Sequence, residues 1–222
     1  MSSQPKQNLG EGSGSTRNLE QTMEIVRRVR LGESQADSEL VRHSGGRILG
    51  LVMFLMGRKM RSRYDPEDVA QEVWLEVFKA LRRKKGPTES FGPWVRKIAT
   101  RKISQLQNRS DGQATLESNL PQERSGRSPA FDPPDPDLLP AVRSYRLESV
   151  ARMVEELEQL EQRRQEIWTR YWFEEQSTTA IAREFDWNRE FVRSELQQAN
   201  RHLRHRLQER DQSDPADWGR PI

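Results

Sequence analysis

The chain is organised around the sequence DPEDVAQEVWLEVFKAL, from Asp65 to Leu81. It begins as a helix should, because Asp65 can accept backbone N–H groups of the first turn and Pro66 suits the first helical position. Apolar residues then recur at helical spacing, in a stripe wide enough to be buried. The stripe consists of Val69, Ala70, Val73, Trp74, Val77, Phe78 and Leu81. The stretch therefore predicts an amphipathic helix packed into a helical core.

The opposite face of this helix is mostly polar and acidic, with one leucine in the middle. It carries Asp68, Gln71, Glu72 and Leu75. A solvated surface is one explanation, since carboxylates are usually exposed. The surrounding segment is basic, however: residues 42–109 hold 16 Lys or Arg against six Asp or Glu, a local net charge of +10. A local reversal of sign favours a partner of complementary charge.

Two helices are predicted before this one. Residues 19–31 form a short helix, and Ser34 or Asp37 caps a longer helix that runs to about Gly57. Its most apolar run is ILGLVMFLM, residues 48–56. Nine residues cannot cross a bilayer, which needs about 20. We therefore expect a core helix that packs on the Val69–Leu81 stripe, and no membrane insertion.

A basic helix is predicted after it, from Pro93 to Asn108. Its outer face carries Arg96, Lys97, Arg101 and Lys102, and Trp94 starts the inner stripe. The face is either ordinary solvated surface or a binding surface for a single strand of nucleic acid. The second interpretation rests on chemistry: Lys and Arg bind phosphates, and bases stack on aromatic rings.

Composition divides the chain into two small domains. Six of the twelve prolines lie in residues 110–142, which we predict to be a flexible Pro-rich linker between domains 19–109 and 143–207. Residues 1–18 are rich in Ser, Gly, Gln and Asn, and are predicted to be a disordered tail. Residues 208–222 form a second tail of unassigned role. The chain has no cysteine, which fits a reducing cytoplasm.

The second domain is predicted to contain a helix-turn-helix. Ser177 or Thr178 caps a short helix that ends at Phe185, a turn follows, and Asn188 caps a long helix. The alternative is an αα-hairpin in a helical bundle. The outer face of the long helix includes Arg, which reads guanine, and Gln, which reads adenine. Its candidate contacts are Asn188, Arg189, Glu190, Arg193, Ser194, Gln197 and Arg201.

Two blocks of sequence resemble a known family. DPEDVAQEVWLEVFKAL followed by FGPWVRKIATRKISQLQNR resembles the second conserved region of bacterial sigma factors. LEQLEQRRQEIWTRYWFEEQSTTAIAREFDWNREFVRSELQQANRHLRHRL is similar to their fourth region. The layout of two small domains resembles the extracytoplasmic-function class. The resemblance covers about residues 20–207 and implies an all-α fold.

The resemblance also implies roles for the candidate residues. The acidic face, with Asp68, Gln71, Glu72 and Leu75, would bind the β′ clamp helices of core RNA polymerase. Trp94, Arg96, Lys97, Arg101 and Lys102 would hold the non-template strand of the minus-ten element. The helix-turn-helix residues would read the minus-thirty-five element as duplex. Glu195 and Gln198 depart from the family, which usually has basic residues there, so phosphate anchoring by this helix should be weaker.

The implied activity is promoter recognition in the bacterial cytoplasm. Its partners would be the β′ and β subunits of core polymerase, promoter DNA and an anti-sigma factor. No catalytic residue, metal or cofactor is expected, since catalysis belongs to the polymerase. No Gly-rich phosphate loop precedes a helix, and no carboxylate cluster completes a metal site beside His202 and His205. The alternative function is a helix-turn-helix regulator whose first domain binds something other than polymerase.

Overall fold

The computed structural model describes residues 11–110 and 140–210, with side chains for 18–108 and 147–208. This part of the chain folds into eight α-helices, so the predicted all-α fold is confirmed. Their bounds are α1 Glu11–Leu31, α2 Ala36–Arg61, α3 Pro66–Arg82, α4 Phe91–Ser110, α5 Pro140–Leu157, α6 Gln162–Trp172, α7 Thr178–Phe185 and α8 Arg189–Arg210. Most of the predicted linker and of both tails lies outside the described residues. No helix in the described ranges has both the length and the apolar character needed to cross a membrane.

Helix α3 forms as its sequence predicts. Asp65 adopts an extended conformation before the helix, and its carboxylate accepts a hydrogen bond from the Glu67 N–H at 2.8 Å. All seven residues of the predicted stripe are buried. Within the stripe, Trp74 stacks on Phe78 with ring centroids 5.4 Å apart. Burial of the stripe fixes the rotation of α3 and so directs its acidic face outward.

The start of α2 differs from the prediction. Neither Ser34 nor Asp37 caps the helix: the N-cap is Gln35, which makes no side-chain cap hydrogen bond. The physical reason is the tight reversal after α1, where Gly32 and Gln35 both have positive φ angles of 73° and 66°. A capping side chain needs an extended backbone, and this turn leaves none at the helix start. The helix was also predicted to end at about Gly57, but Gly57 forms only a kink, with φ 63° and ψ 168°, and α2 continues to Arg61.

Helix α1 begins at Glu11, inside the segment that the sequence predicts to be a disordered tail. Its anchored part is further along, where Thr22, Ile25, Val26 and Val29 are buried. Once the buried turns of α1 have formed, each residue added at the N-terminal end gains a hydrogen bond without a second nucleation step. The helix therefore extends into a sequence that would not form one alone.

Helix α2 is apolar on two sides because it belongs to two cores. Ile48, Val52 and Met56 pack with α1, α3 and α4, which confirms the predicted contact with the α3 stripe. Leu51 and Met53 face the other way and pack into the core of the second domain. The two domains are therefore in direct contact.

Close approach at this contact requires a glycine. A Cβ added at Gly50 would lie 2.6 Å from the Cε1 atom of Phe173, which is buried in the second core. Such a distance is far inside van der Waals contact, so a larger residue would displace the ring. Gly50 thus lets the second domain reach the backbone of α2.

The cap of α3 gives a test of the helix that organises the first domain. We expect Asp65→Ala to lower the free energy of unfolding by about 1 kcal/mol, because the Glu67 N–H loses its acceptor. Asp65→Asn keeps an acceptor oxygen and should stay within a few tenths of a kcal/mol of the original chain. Urea unfolding followed by circular dichroism measures both. Equal stabilities for the two variants would show that this cap does not stabilise the fold.

Candidate functional site

The acidic face of α3 is an exposed surface. Asp68, Gln71 and Glu72 are all open to solvent. Leu75 is 38% exposed and is one of three large apolar residues that are exposed in the described part of the chain. The four predicted polymerase-binding residues therefore share one accessible face, which combines negative charge with a central apolar group.

The basic face of α4 borders this acidic face. Lys97 and Arg101 are exposed, and Trp94 is half-buried with its ring centroid 6.0 Å from that of Phe91. The Lys102 ammonium lies 2.8 Å from the Glu72 carboxylate of α3. This ion pair joins the two predicted surfaces.

Arg96 corrects the sequence-based picture of this face. It was expected to be solvated, yet its side chain is only 19% exposed and is ion-paired with Glu174 of the second domain. A second carboxylate, that of Glu166, lies 3.6 Å from the same guanidinium. The pairing arises because the segment between α6 and α7 packs against the start of α4. A Cβ at Gly92 would overlap the backbone of Glu174, so this approach also depends on a glycine.

The neighbouring Glu175 makes a matching contact with α1 and α2. Its carboxylate lies 2.6 Å from the Arg47 guanidinium and accepts a hydrogen bond from the Thr22 hydroxyl at 3.1 Å. Burial raises the pKa of the Glu175 carboxyl, although Arg47 acts in the opposite direction. Burial likewise raises the pKa of Glu174 against the effect of Arg96. Keeping both groups ionised in this contact therefore has an energetic cost.

A third set of ion pairs joins the domains at the end of α2. Arg61 donates to both carboxylate oxygens of Glu158, at 2.7 and 3.0 Å. Arg58 donates to the same carboxylate at 3.1 Å. The charges across the whole contact are thus divided by domain. The first contributes the arginines Arg47, Arg58, Arg61 and Arg96, and the second contributes the glutamates Glu158, Glu166, Glu174 and Glu175.

The segment α7–turn–α8 holds the predicted duplex-reading face. The Ser177 hydroxyl accepts a hydrogen bond from the Ala180 N–H at 3.1 Å, which confirms the predicted cap of α7. Asp186 ends α7 with a φ angle of 54°, and the Asn188 side chain accepts from the Glu190 N–H at 2.7 Å. Asn188 therefore starts α8, and its amide oxygen is already engaged.

The remaining candidates on α8 lie on one side of the helix. Exposed members are Arg189, Glu190, Ser194, Gln197 and Arg201, and Arg193 is half-buried. The aromatic rings beside them were not singled out from the sequence. Phe185 stacks on Trp187 at 4.5 Å, and Trp187 meets the edge of Phe191 at 5.9 Å. These rings brace the turn and fix where the start of α8 points.

Glu195 has a structural role that the sequence did not indicate. It is 5% exposed, and its carboxylate lies 3.3 Å from Arg163 Nε and 3.2 Å from Arg164 Nε. Gln198 accepts a further hydrogen bond from Arg164 at 2.8 Å. Both residues therefore join α8 to α6, and this contact accounts for an acidic and an amide side chain where basic residues were expected.

Comparison with known proteins gives one family. Residues 40–111 match the family model described as Sigma-70 region 2, which spans α2 from Leu40 through α4 and includes the acidic and basic faces. No curated protein sequence matches the chain significantly. Among solved structures, the chain is similar to CnrH in complex with the cytosolic domain of CnrY, at 18% identity and a TM-score of 0.40. The alignment covers 86% of this chain and 99% of that one.

The position of Glu195 predicts the effect of restoring a basic residue there. We expect Glu195→Lys to lower the free energy of unfolding by roughly 2 kcal/mol, because it places a third cation between Arg163 and Arg164. The figure is below that for a fully buried pair, since the two arginines are partly exposed. His202→Lys adds a cation at an exposed site on α8 and should change stability by less than about 0.5 kcal/mol. Stronger duplex binding by Glu195→Lys without loss of stability would contradict the structural role.

Proposed function

We propose that the chain is a promoter-specific sigma factor of the extracytoplasmic-function class, because residues 40–111 match the Sigma-70 region 2 family model. The domain itself supports a role in promoter-directed transcription. Its action is binding rather than catalysis. The finer assignments proposed here are a polymerase-binding face on α3, a strand-binding face on α4 and a duplex-reading face on α8.

The observation that carries the proposal is the exposed face of α3 within the matched region. A buried stripe explains the helical spacing of the apolar residues on one side, but it does not explain why Asp68, Gln71 and Leu75 share the other side. An apolar centre with polar and acidic neighbours is the composition of a small protein-binding surface. We propose that the clamp helices of the β′ subunit bind here, and that the β subunit contacts other parts of the chain.

The strand-binding proposal rests on charge and on one aromatic ring. Lys97 and Arg101 are exposed on α4, and Trp94 lies at the start of the same helix. Such a combination suits the separated non-template strand of the minus-ten element, through phosphate contacts and base stacking. Lys102 and Arg96 belong to the proposed set as well, although each is ion-paired in this structure.

The duplex-reading proposal rests on α7, the turn and α8, taken as a helix-turn-helix. The second domain has no overall positive charge, since residues 143–210 contain 13 Arg against 13 Asp or Glu. Contact with the minus-thirty-five element would therefore be local, through the first turns of α8 in the major groove. Family resemblance adds an anti-sigma factor to the proposed partners and the bacterial cytoplasm as the place of action.

Polymerase binding is tested by removing the acidic face. We expect Asp68→Ala with Gln71→Ala to abolish co-purification with bacterial core RNA polymerase, because both side chains are exposed on α3 and the fold does not need them. Glu20→Ala with Gln21→Ala removes the same kinds of group from an exposed position on α1 and should leave association unchanged. Normal association of the α3 double variant would overturn the assignment and favour a stand-alone regulator.

Duplex reading is tested at the start of α8. We expect Arg189→Ala to cost about 1–3 kcal/mol on the preferred promoter and to relax the preference at one base pair. Run-off transcription with core polymerase, on promoter variants that each change one base pair, measures this. Arg204→Ala, further along the same helix, is the matched control and should leave base preference intact. Uniform loss on every promoter would instead identify Arg189 as a phosphate contact.

A further inference from the structure

The start of α8 exposes an aromatic ring that the proposed function does not use. Phe191 is 36% exposed and is one of the three large apolar residues that are exposed in the described part of the chain. It is the third residue of α8 and follows Arg189 and Glu190, which are exposed as well. Single exposed apolar residues are common on protein surfaces, so the surroundings of the ring decide whether it has a role.

The Phe191 ring is held in one orientation by its neighbours. Trp187 meets it edge-on, with ring centroids 5.9 Å apart and an angle of 79° between the ring planes. Trp187 is itself stacked on Phe185, with centroids 4.5 Å apart. The Arg163 guanidinium lies over the Phe191 ring, 5.2 Å from its centroid. The ring is therefore oriented before any ligand arrives, which lowers the entropy lost when it binds one.

Phe191 lies among the residues that are proposed to read the duplex. Residues three apart on a helix are neighbours on its surface, so Phe191 adjoins Ser194 on the next turn of α8. Ser194, Arg189 and Glu190 all belong to the duplex-reading set, and all three are exposed. In a helix-turn-helix, the N-terminal residues of the second helix reach base edges in the major groove. The ring is thus placed where the helix would meet the bases.

The chemistry of the major groove offers one ligand for such a ring. Every base pair presents hydrogen-bond donors or acceptors there, and thymine adds an apolar group, the methyl group at C5. A phenyl ring has no hydrogen-bonding group with which to recognise the polar atoms of the bases. Contact with the thymine methyl group, by contrast, removes apolar surface of both partners from water.

We propose that Phe191 is a specificity-determining residue, which recognises thymine in the minus-thirty-five element through its 5-methyl group. The inference rests on the proposed duplex reading by α8 and names one base that this helix selects. The polar residues of α8 distinguish base pairs by hydrogen bonds, whereas Phe191 adds a preference that depends on a methyl group alone. Trp187 is a positioning residue, because it acts on the base only through the ring that it holds.

The first step of the test removes the methyl group from the DNA. The reference probe is the promoter that gives the strongest run-off transcript from DNA of the source organism. In a series of probes, each thymine of its minus-thirty-five element, on either strand, is replaced singly by deoxyuridine, which lacks only the 5-methyl group. Electrophoretic mobility shift measures how tightly the full-length chain, in complex with core polymerase, binds each probe. We expect one replacement to weaken binding about fourfold, the effect of exposing one buried methyl-sized group.

The second step asks whether that effect belongs to Phe191. With Phe191→Ala, the thymine probe and the sensitive deoxyuridine probe should bind equally well, because the group that distinguishes them is gone. A ring that only braces the turn behaves differently: its loss weakens binding to both probes by the same factor and leaves their ratio unchanged. Phe191→Leu keeps an apolar side chain and should retain part of the ratio.

The matched control is Leu31→Ala, which also removes a large exposed apolar side chain. Leu31 is 63% exposed and lies at the end of α1, in the first domain. The affinity for both probes and the ratio between them should stay as in the original chain. The control therefore separates recognition by Phe191 from any general effect of removing an exposed apolar group.

The outcomes distinguish this inference from the proposed function. An original chain that does not associate with core polymerase, or that directs no discrete transcript, overturns the proposed function and this inference with it. Promoter binding that no deoxyuridine weakens overturns this inference alone, and so does a ratio that Phe191→Ala leaves intact. Loss of association with core polymerase in Phe191→Ala would place the ring in a protein interface and would also overturn the inference.

Discussion

The structure depends on one helix that is apolar on two sides. Ile48, Val52 and Met56 of α2 belong to the first core, and Leu51 and Met53 belong to the second. A helix that is hydrophobic all round must be covered all round. In this chain a single element thus fixes two things: the orientation of α3, whose acidic face turns to solvent, and the docking of the second domain on the first. The faces proposed to be functional are arranged relative to each other because they share this support.

The distribution of charge matches the division between the surfaces that lie in the contact between the domains and those that stay exposed to solvent. The second domain has equal numbers of acidic and basic residues in 143–210, yet the glutamates that meet the first domain are gathered on one side of it. They face arginines of a segment with a large positive excess. On α3 the signs are reversed, and the acidic side chains remain exposed. Part of the basic surface is therefore ion-paired within the molecule, whereas the acidic face of α3 stays exposed to solvent.

Local signals made α3 and the caps of α7 and α8 predictable from the sequence. Asp65, Ser177 and Asn188 all cap helices as expected, because capping depends on residues two or three positions away. The expected exposure of Arg96 was wrong for the opposite reason, because its ion-pair partner Glu174 is 78 positions away in the sequence. Glu195 likewise pairs with Arg163 and Arg164 across the α6–α8 contact, which helical spacing within α8 cannot reveal. The extent of the apolar stripes could be predicted from the sequence. The sequence could not show which polar face is covered by the other domain.

The apolar part of the contact between the domains determines how the strength of that contact depends on temperature. Leu51, Met53 and Phe173 leave water when the domains meet, so closure lowers the heat capacity of the chain. An association of this kind is driven by solvent entropy near room temperature and loses strength as the solution is cooled. The ion pairs around it do not reverse this trend, because their net contribution is small. The two domains should therefore separate more readily in the cold than near room temperature.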